Sequence, residues 1–171
     1  MPQFRPGSPL LIGVALLLGL TSALPARAQS ADEEQNAALK AVAQMTEGQR
    51  TYYQQNGKFR AEVGNIQQDF GITLPATFDY AVRTTSEAAY SYVIPNNSPQ
   101  KGQLKAYVGA AFITPNQDPK ITTLICENTQ PGTLRPADPQ LTRGLDVNNP
   151  TRLGIICGDF STPVPASKVN E

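Results

Sequence analysis

The sequence has no histidine and no tryptophan, and only two cysteines among 171 residues. Histidine is the usual general base near neutral pH and the commonest transition-metal donor. Its absence removes most nucleophilic triads and most metal centres before any motif is considered. Charge is scarce as well: 16% of residues are Asp, Glu, Lys or Arg, in equal numbers of each sign. Without a basic stripe, the counterion release that drives nonspecific nucleic-acid binding is missing, and an anionic membrane surface exerts no pull. What remains, 40% hydrophobic residues in a chain of this length, is enough for one globular domain with a core of its own.

Long apolar runs are lacking, with one short exception near the start. Arg5 precedes an unbroken apolar stretch from Leu10 to Leu20, and Ala26-Arg27-Ala28 has the small-x-small form of a signal-peptidase site. Residues 1–28 therefore read as a cleavable signal peptide, cut between Ala28 and Gln29. Eleven residues rising 1.5 Å each cover about 16 Å of a hydrocarbon layer roughly 30 Å thick, too little for an uncleaved anchor. No cysteine follows the run, which argues against a lipoprotein. Arg5 and Arg27 are the basic side chains that leave with the leader, so a net charge of zero becomes −2. The expected location is periplasmic or extracellular, with no membrane insertion after cleavage and no nucleic-acid partner.

The mature chain opens with a helix expected over residues 31–55. Ser30 or Asp32 caps it, Glu33 and Glu34 fill its first turn, and Ala38, Val42, Met45, Gln49 and Tyr52 recur on one face. Gly57 ends it, because glycine enters the left-handed region without a Cβ clash. Residues 59–75 read as an irregular segment anchored by Ile66, Phe70, Ile72 and Leu74 and covering a sheet edge. The period then changes to two. Phe78, Tyr80 and Val82 predict one strand, Tyr90, Tyr92 and Ile94 a second, Leu104 to Ile113 a third and Ile121 to Cys126 a fourth. Gln130 to Pro150, with four prolines and two glycines, reads as loop throughout. Leu153 to Phe160 returns as a short strand, and residues 161–171 read as a flexible tail behind a domain spanning 29–160.

Cys126 and Cys157 stand at the ends of two apolar segments, behind a leader that directs them to an oxidising compartment, so a disulfide is the expected state. A redox-active pair would show C-x-x-C or a basic activating neighbour, and neither Ile125-Cys126-Glu127 nor Ile156-Cys157-Gly158 does.

Gln49-Arg50-Thr51-Tyr52-Tyr53-Gln54-Gln55-Asn56-Gly57-Lys58-Phe59 looks like the exit of a pilin's long helix. Leu104 to Phe112, Leu124 to Asn128, Pro131-Gly132 and Cys157-Gly158 are similar in order and spacing to the type IV pilin-like G and H family, known chiefly from cyanobacteria. The resemblance covers residues 36–160. It implies an α+β fold, one N-terminal helix packed on a four- to five-stranded antiparallel sheet, with Cys126 and Cys157 bounding a disulfide-closed C-terminal loop. A prepilin begins with a short basic leader, a Gly-Phe cleavage point, a glutamate soon after it and a long apolar half-helix; this sequence has none of them. A chain cut at Ala28 keeps the head and lacks the filament-forming stem.

The functional expectation is a non-enzymatic secreted protein acting by protein or surface contact, as an accessory component of a type IV pilus or secretion system. The contact region is the loop between the cysteines, with Gly132, Arg135, Arg143, Asp146, Asn148 and Asn149 as its candidate residues and no cofactor or metal. Competing readings have weaker warrants. Asp146, Asn148, Asn149 and Asp159 offer oxygen ligands for Ca²⁺, yet lack EF-hand spacing and suit turns. Asp69 with Asp79 or Glu62 would be the carboxylate pair of a secreted hydrolase, but sequence does not test their separation. The six tyrosines would serve a glycan-binding module, but Tyr80, Tyr90 and Tyr92 alternate on strands as though covered by the helix.

Overall fold

Helix α1 (Ala31–Asn56) is closed at its start by a reciprocal pair of bonds. Ser30 Oγ accepts the Glu33 backbone N–H at 3.2 Å, and the Glu33 carboxylate accepts the Ser30 N–H at 3.1 Å. At its end Gly57 adopts φ 67° and donates its N–H to the Tyr53 carbonyl. The computed structural model describes residues 1, 3, 30–114, 120–145, 148 and 152–169. The leader and its cleavage point at Ala28 and Gln29 lie outside the described residues.

The segment expected to be irregular contains a second helix, α2 (Val63–Phe70), ended by Gly71 at φ 63°. Ile66 and Phe70 stand one turn apart and face α1, where Gly48 lets the Phe70 ring approach the helix backbone; a Cβ there would fall 2.1 Å from Phe70 Cδ2. Gln49, read from sequence as part of an apolar stripe, is fully buried for a polar reason. Its amide donates to the Arg60 carbonyl at 2.6 Å and accepts the Arg60 N–H at 2.8 Å, pinning the chain between the two helices.

Five strands form the main sheet: β1 (Asp79–Thr84), β2 (Ala88–Ile94), β3 (Tyr107–Ile113), β4 (Ile121–Asn128) and, after a separate hairpin of β5 (Gln140–Arg143) with β6 (Leu153–Ile156), β7 (Ser161–Pro163). The order is β1-β2-β3-β4-β7, antiparallel throughout. A short turn of helix, α3 (Ala166–Val169), follows and packs near α1.

Beyond α2, the architecture is the expected one, with three differences in the strands. Gln130 to Pro150 is not all loop, since Gln140-Leu141-Thr142-Arg143 pairs with Leu153 to Ile156 in a sheet of its own. The run between Pro139 and Gly144 is too short to stand out by periodicity. Leu153 to Ile156 consequently does not join the main sheet. The place beside β4 is taken by Ser161–Pro163, from the segment expected to be a tail, and an edge strand tolerates its proline.

The sheet is buried on both faces, which is why β2 and β3 show almost no exposed residue. On one face Val93 and Tyr107, with Tyr80 and Val82, meet Ala38, Leu39, Ala41, Val42 and Met45 of α1. On the other, Tyr90, Tyr92, Val108, Ala110, Phe112 and Cys126 meet Leu141, Ile155 and Cys157 of the disulfide-closed segment. Tyr90 and Tyr92 are therefore covered by that segment and not by the helix. Alternation assigns each residue to a face but does not say what lies over it.

A polar network fixes the first turns of α1 to β3 and β4. Gln35 donates to the Tyr107 hydroxyl at 2.7 Å and exchanges bonds with the Lys105 backbone; Tyr107 donates to Glu127 at 2.8 Å, and Lys105 Nζ reaches the same carboxylate at 2.9 Å. Burial alone would push the Glu127 carboxyl up, but Lys105 and Tyr107, with Lys168 nearby, outweigh it and hold it below its ordinary value. A depressed folded-state value means stability that is present above the unfolded carboxylate range and lost as pH falls through the folded value. Glu127→Gln is accordingly expected to lower stability by about 1 kcal/mol at neutral pH and to flatten its decline below about pH 4.5. Urea unfolding across that range checks this; an unchanged acid slope would show that the network does not couple to folding.

Candidate interaction surface

Cys126 and Cys157 are bonded, with Cα atoms 5.7 Å apart, and the bond ties the end of β4 to the chain leaving β6. The enclosed segment lies back across the sheet. Asp138 is its polar anchor: its carboxylate pairs with the Arg83 guanidinium of β1 and accepts the Tyr92 hydroxyl of β2. Burial pushes the Tyr92 hydroxyl up from its ordinary value, and the bond to Asp138 adds to that, against the opposing pull of Arg135 and Arg83. Tyr92 thus stays a neutral donor to the carboxylate. Two guanidinium groups stack on this tyrosine row, Arg135 at 3.8 Å from the Tyr92 ring centroid and Arg83 at 4.3 Å from that of Tyr90. Pro136 and Pro139 are buried on either side of Asp138.

Close backbone approach completes the frame. A Cβ on Gly158 would lie 2.7 Å from Ala137 Cβ and 2.9 Å from the Asp138 carbonyl, so only glycine fits after Cys157. Gly132, at φ 135°, donates its N–H to the Leu104 carbonyl at 2.8 Å. Asn128 Nδ2 donates to the Leu134 carbonyl at 2.8 Å. Gly132 and Arg135 therefore shape and hold the segment. Arg143 on β5 and Asn148 near the hairpin tip are exposed. Asp146 and Asn149 lie outside the described residues.

The sequence reading did not single out two outward side chains, Phe160 and Leu134. Phe160 is 79% exposed and adopts φ 58°. For a bulky aromatic residue that conformation is an outlier, costing about 1–3 kcal/mol, and it persists only where the surroundings enforce it. Here the Phe160 carbonyl accepts both the Thr129 N–H at 2.8 Å and the Thr129 hydroxyl at 3.1 Å. Leu134 is 71% exposed. Its carbonyl is held by Asn128 and that of Phe160 by the next residue, so both side chains emerge at the same end of β4. Leu145 and Ile156 add further exposed apolar surface along the segment.

The other candidate sites resolve into local contacts. Asp69 pairs with Arg60, Glu62 accepts from Asn65 at 2.6 Å, and Asp79 accepts from Asn96 and Asn97 at 2.6 and 2.7 Å. Tyr80, Tyr90, Tyr92 and Tyr107 are core residues, and Tyr52 and Tyr53 pack on Phe70 and Phe59, so the tyrosines do not form one aromatic surface. Among the described residues no group of three or more His, Cys, Asp or Glu is placed to hold a metal ion, and no helix is long and apolar enough to cross a membrane. A groove of about 1030 Å³ runs along α1 beside β4 and α3, lined by Ala43, Gly48, Phe70, Ile125, Val164 and Val169 among others.

A family model described as type IV pilin-like G and H matches residues 35–150, which run from the first turns of α1 through β5. No curated protein and no solved structure matches the chain.

Proposed function

The chain belongs to the type IV pilin-like G and H family, and from that premise we propose that it is an exported, non-enzymatic accessory component of a type IV pilus or secretion filament. In this reading it docks on its protein partner through the disulfide-closed segment. On the same reading the leader directs export and is then cut between Ala28 and Gln29.

The observation that carries the reading is a contrast across the segment and the turn just after its second cysteine. The segment's interior is fixed to the sheet by a covalent bond, a half-exposed carboxylate contact and apolar packing, while Leu134 within it and Phe160, just beyond Cys157, are held outward on clamped backbone. Exposed aromatic and aliphatic side chains on an immobile frame lose little entropy on binding, which is what interface anchors require. The Phe160 backbone strain is of the kind that collects at functional positions.

The double substitution Leu134→Ser with Phe160→Ser tests this. Neither side chain is part of the core, so the thermal midpoint should stay within a few degrees of wild type. Copurification with isolated pilus or secretion-filament fractions should fall at least about tenfold, the effect of losing roughly 1.4 kcal/mol at an interface. Unchanged copurification by a folded variant would refute the docking surface.

A further inference from the structure

The two edges of the main sheet are built differently. At one, β7 is three residues long and ends in Pro163, which has no N–H to offer. Short length and proline are how natural sheets close an edge. At the other, β1 runs six residues, Asp79-Tyr80-Ala81-Val82-Arg83-Thr84, without proline, glycine or lysine.

Hydrogen-bond parity decides which groups β1 leaves outward. In an antiparallel pair, opposite residues alternate between exchanging both bonds and directing them away from each other. Thr85 N–H donates to the Ala88 carbonyl at 2.8 Å, so the odd residues Asp79, Ala81 and Arg83 bond to β2, and Tyr80, Val82 and Thr84 point away. The far side of β2 gives the same answer. Ile113 N–H donates to the Glu87 carbonyl at 2.9 Å, so odd residues of β2 bond to β3, leaving Tyr90 and Tyr92 to bond Arg83 and Ala81. Among the described residues no loop backbone reaches the outward row of Tyr80, Val82 and Thr84.

That row is complementary to itself. A second copy turned about a two-fold axis through Ala81 sets Tyr80 opposite Val82, which exchange both backbone bonds, and Asp79 opposite Arg83, each pairing occurring twice. Aromatic with β-branched and acidic with basic are the favourable cross-strand combinations. Among the described residues Asp79 accepts from the neutral amides of Asn96 and Asn97 and has no ion-pair partner, and it shares a sheet face with Arg83. The neighbouring register, centred on Val82, would set Arg83 against Ala81 and Asp79 against Thr85 and lose both charge pairs. We propose that β1 is a self-association site at which two copies of this chain join edge to edge, antiparallel, in the register centred on Ala81. The site is distinct from the docking surface on the disulfide-closed segment.

Sedimentation velocity of the purified protein over a concentration series is expected to show a monomer–dimer equilibrium. Val82→Pro removes one outward N–H and no bond to β2, so it should weaken the dimer at least about tenfold. Because Val82 also touches the core, Asp79→Lys serves as a second variant. It sets a lysine against Arg83 of the other copy and should weaken the dimer at low salt, with the difference shrinking as salt rises. Register is read by cysteine placement. A non-bonded pair brings Cα atoms to about 4.5 Å, within disulfide reach, so Ala81→Cys should cross-link the copies on oxidation and Thr84→Cys should not. A protein that stays monomeric throughout, a dimer indifferent to both Val82→Pro and Asp79→Lys, or cross-linking through Thr84→Cys and not Ala81→Cys would overturn the proposal.

Discussion

Replacing both cysteines, Cys126→Ala with Cys157→Ala, is expected to cost about 3.5 kcal/mol of folding stability, the denatured-state entropy released when a closed loop of this size opens. The bridge spans a sequence separation of 31 residues, and Cys126 is fully buried on the sheet. A domain of this size has roughly 5–15 kcal/mol in total, so the loss would be a large share of it. Non-covalent contacts determine how far the segment comes away. The Arg83–Asp138 pair is more than a third exposed on each side and contributes at most about 1 kcal/mol. Leu141 and Ile155, half-buried against the apolar cluster on that face of the sheet, together contribute more, about half of the 1.5–3 kcal/mol each that full burial gives. Apolar packing should therefore keep the segment docked in native conditions while the midpoint of guanidinium unfolding drops. If that midpoint is the same with and without the sulfurs, the packing alone holds the segment and the entropic account fails.

The sequence made some of this legible because certain signals are local. Ser30 followed by Glu33, and Asn56-Gly57 after an apolar stripe, place both ends of α1 within a residue of where they lie. Alternation locates β1 and β2, since Tyr80, Val82, Tyr90 and Tyr92 need no distant partner to show their period. The cysteines bound the segment that folds back over the sheet for the same reason. What was not legible depends on residues far apart in the chain. Asp138 meets Arg83 across 55 positions, and nothing near either residue signals the other. β5 and β7 are strands only because β6 and β4 lie beside them; in isolation Gln140 to Arg143 and Ser161 to Pro163 carry too few residues for a period. The six residues proposed from loop composition illustrate the limit. Gly132 and Arg135 are used in holding the segment, whereas Phe160, beyond the second cysteine, owes its prominence to a backbone angle that no residue type reveals.

The second large effect is expected at Gly109, in the centre of β3 directly beneath α1. A Cβ on Gly109 would lie 1.8 Å from Thr46 Oγ1 and 3.1 Å from both Thr46 Cβ and Val42 Cγ2. Thr46 has little freedom to give way. β-Branched residues are stiff at χ1 within a helix, and this hydroxyl donates to the Val42 carbonyl at 2.7 Å. The strand is equally fixed, bonded between β2 and β4 with Ser91 and Ile125 as its register partners. Gly109→Ala must therefore lift the helix from the sheet or force off-rotamer packing, and the expected cost is about 3 kcal/mol, at the upper end for overpacking. For a domain of this size that is a fall in Tm of roughly 10 °C. The physical cause is separable from a general intolerance of the site, because the worst contact is a single oxygen. Thr46→Ala removes that atom and leaves contacts of 3.1 Å, which neighbours accommodate by a few tenths of an ångström. The double variant Thr46→Ala with Gly109→Ala should recover at least about 1.5 kcal/mol relative to the sum of the single losses, the coupling that residues in direct contact show. Strict additivity in that cycle would mean that helix and strand do not meet at this point, and with it the seam that sets α1 on the sheet would be misplaced.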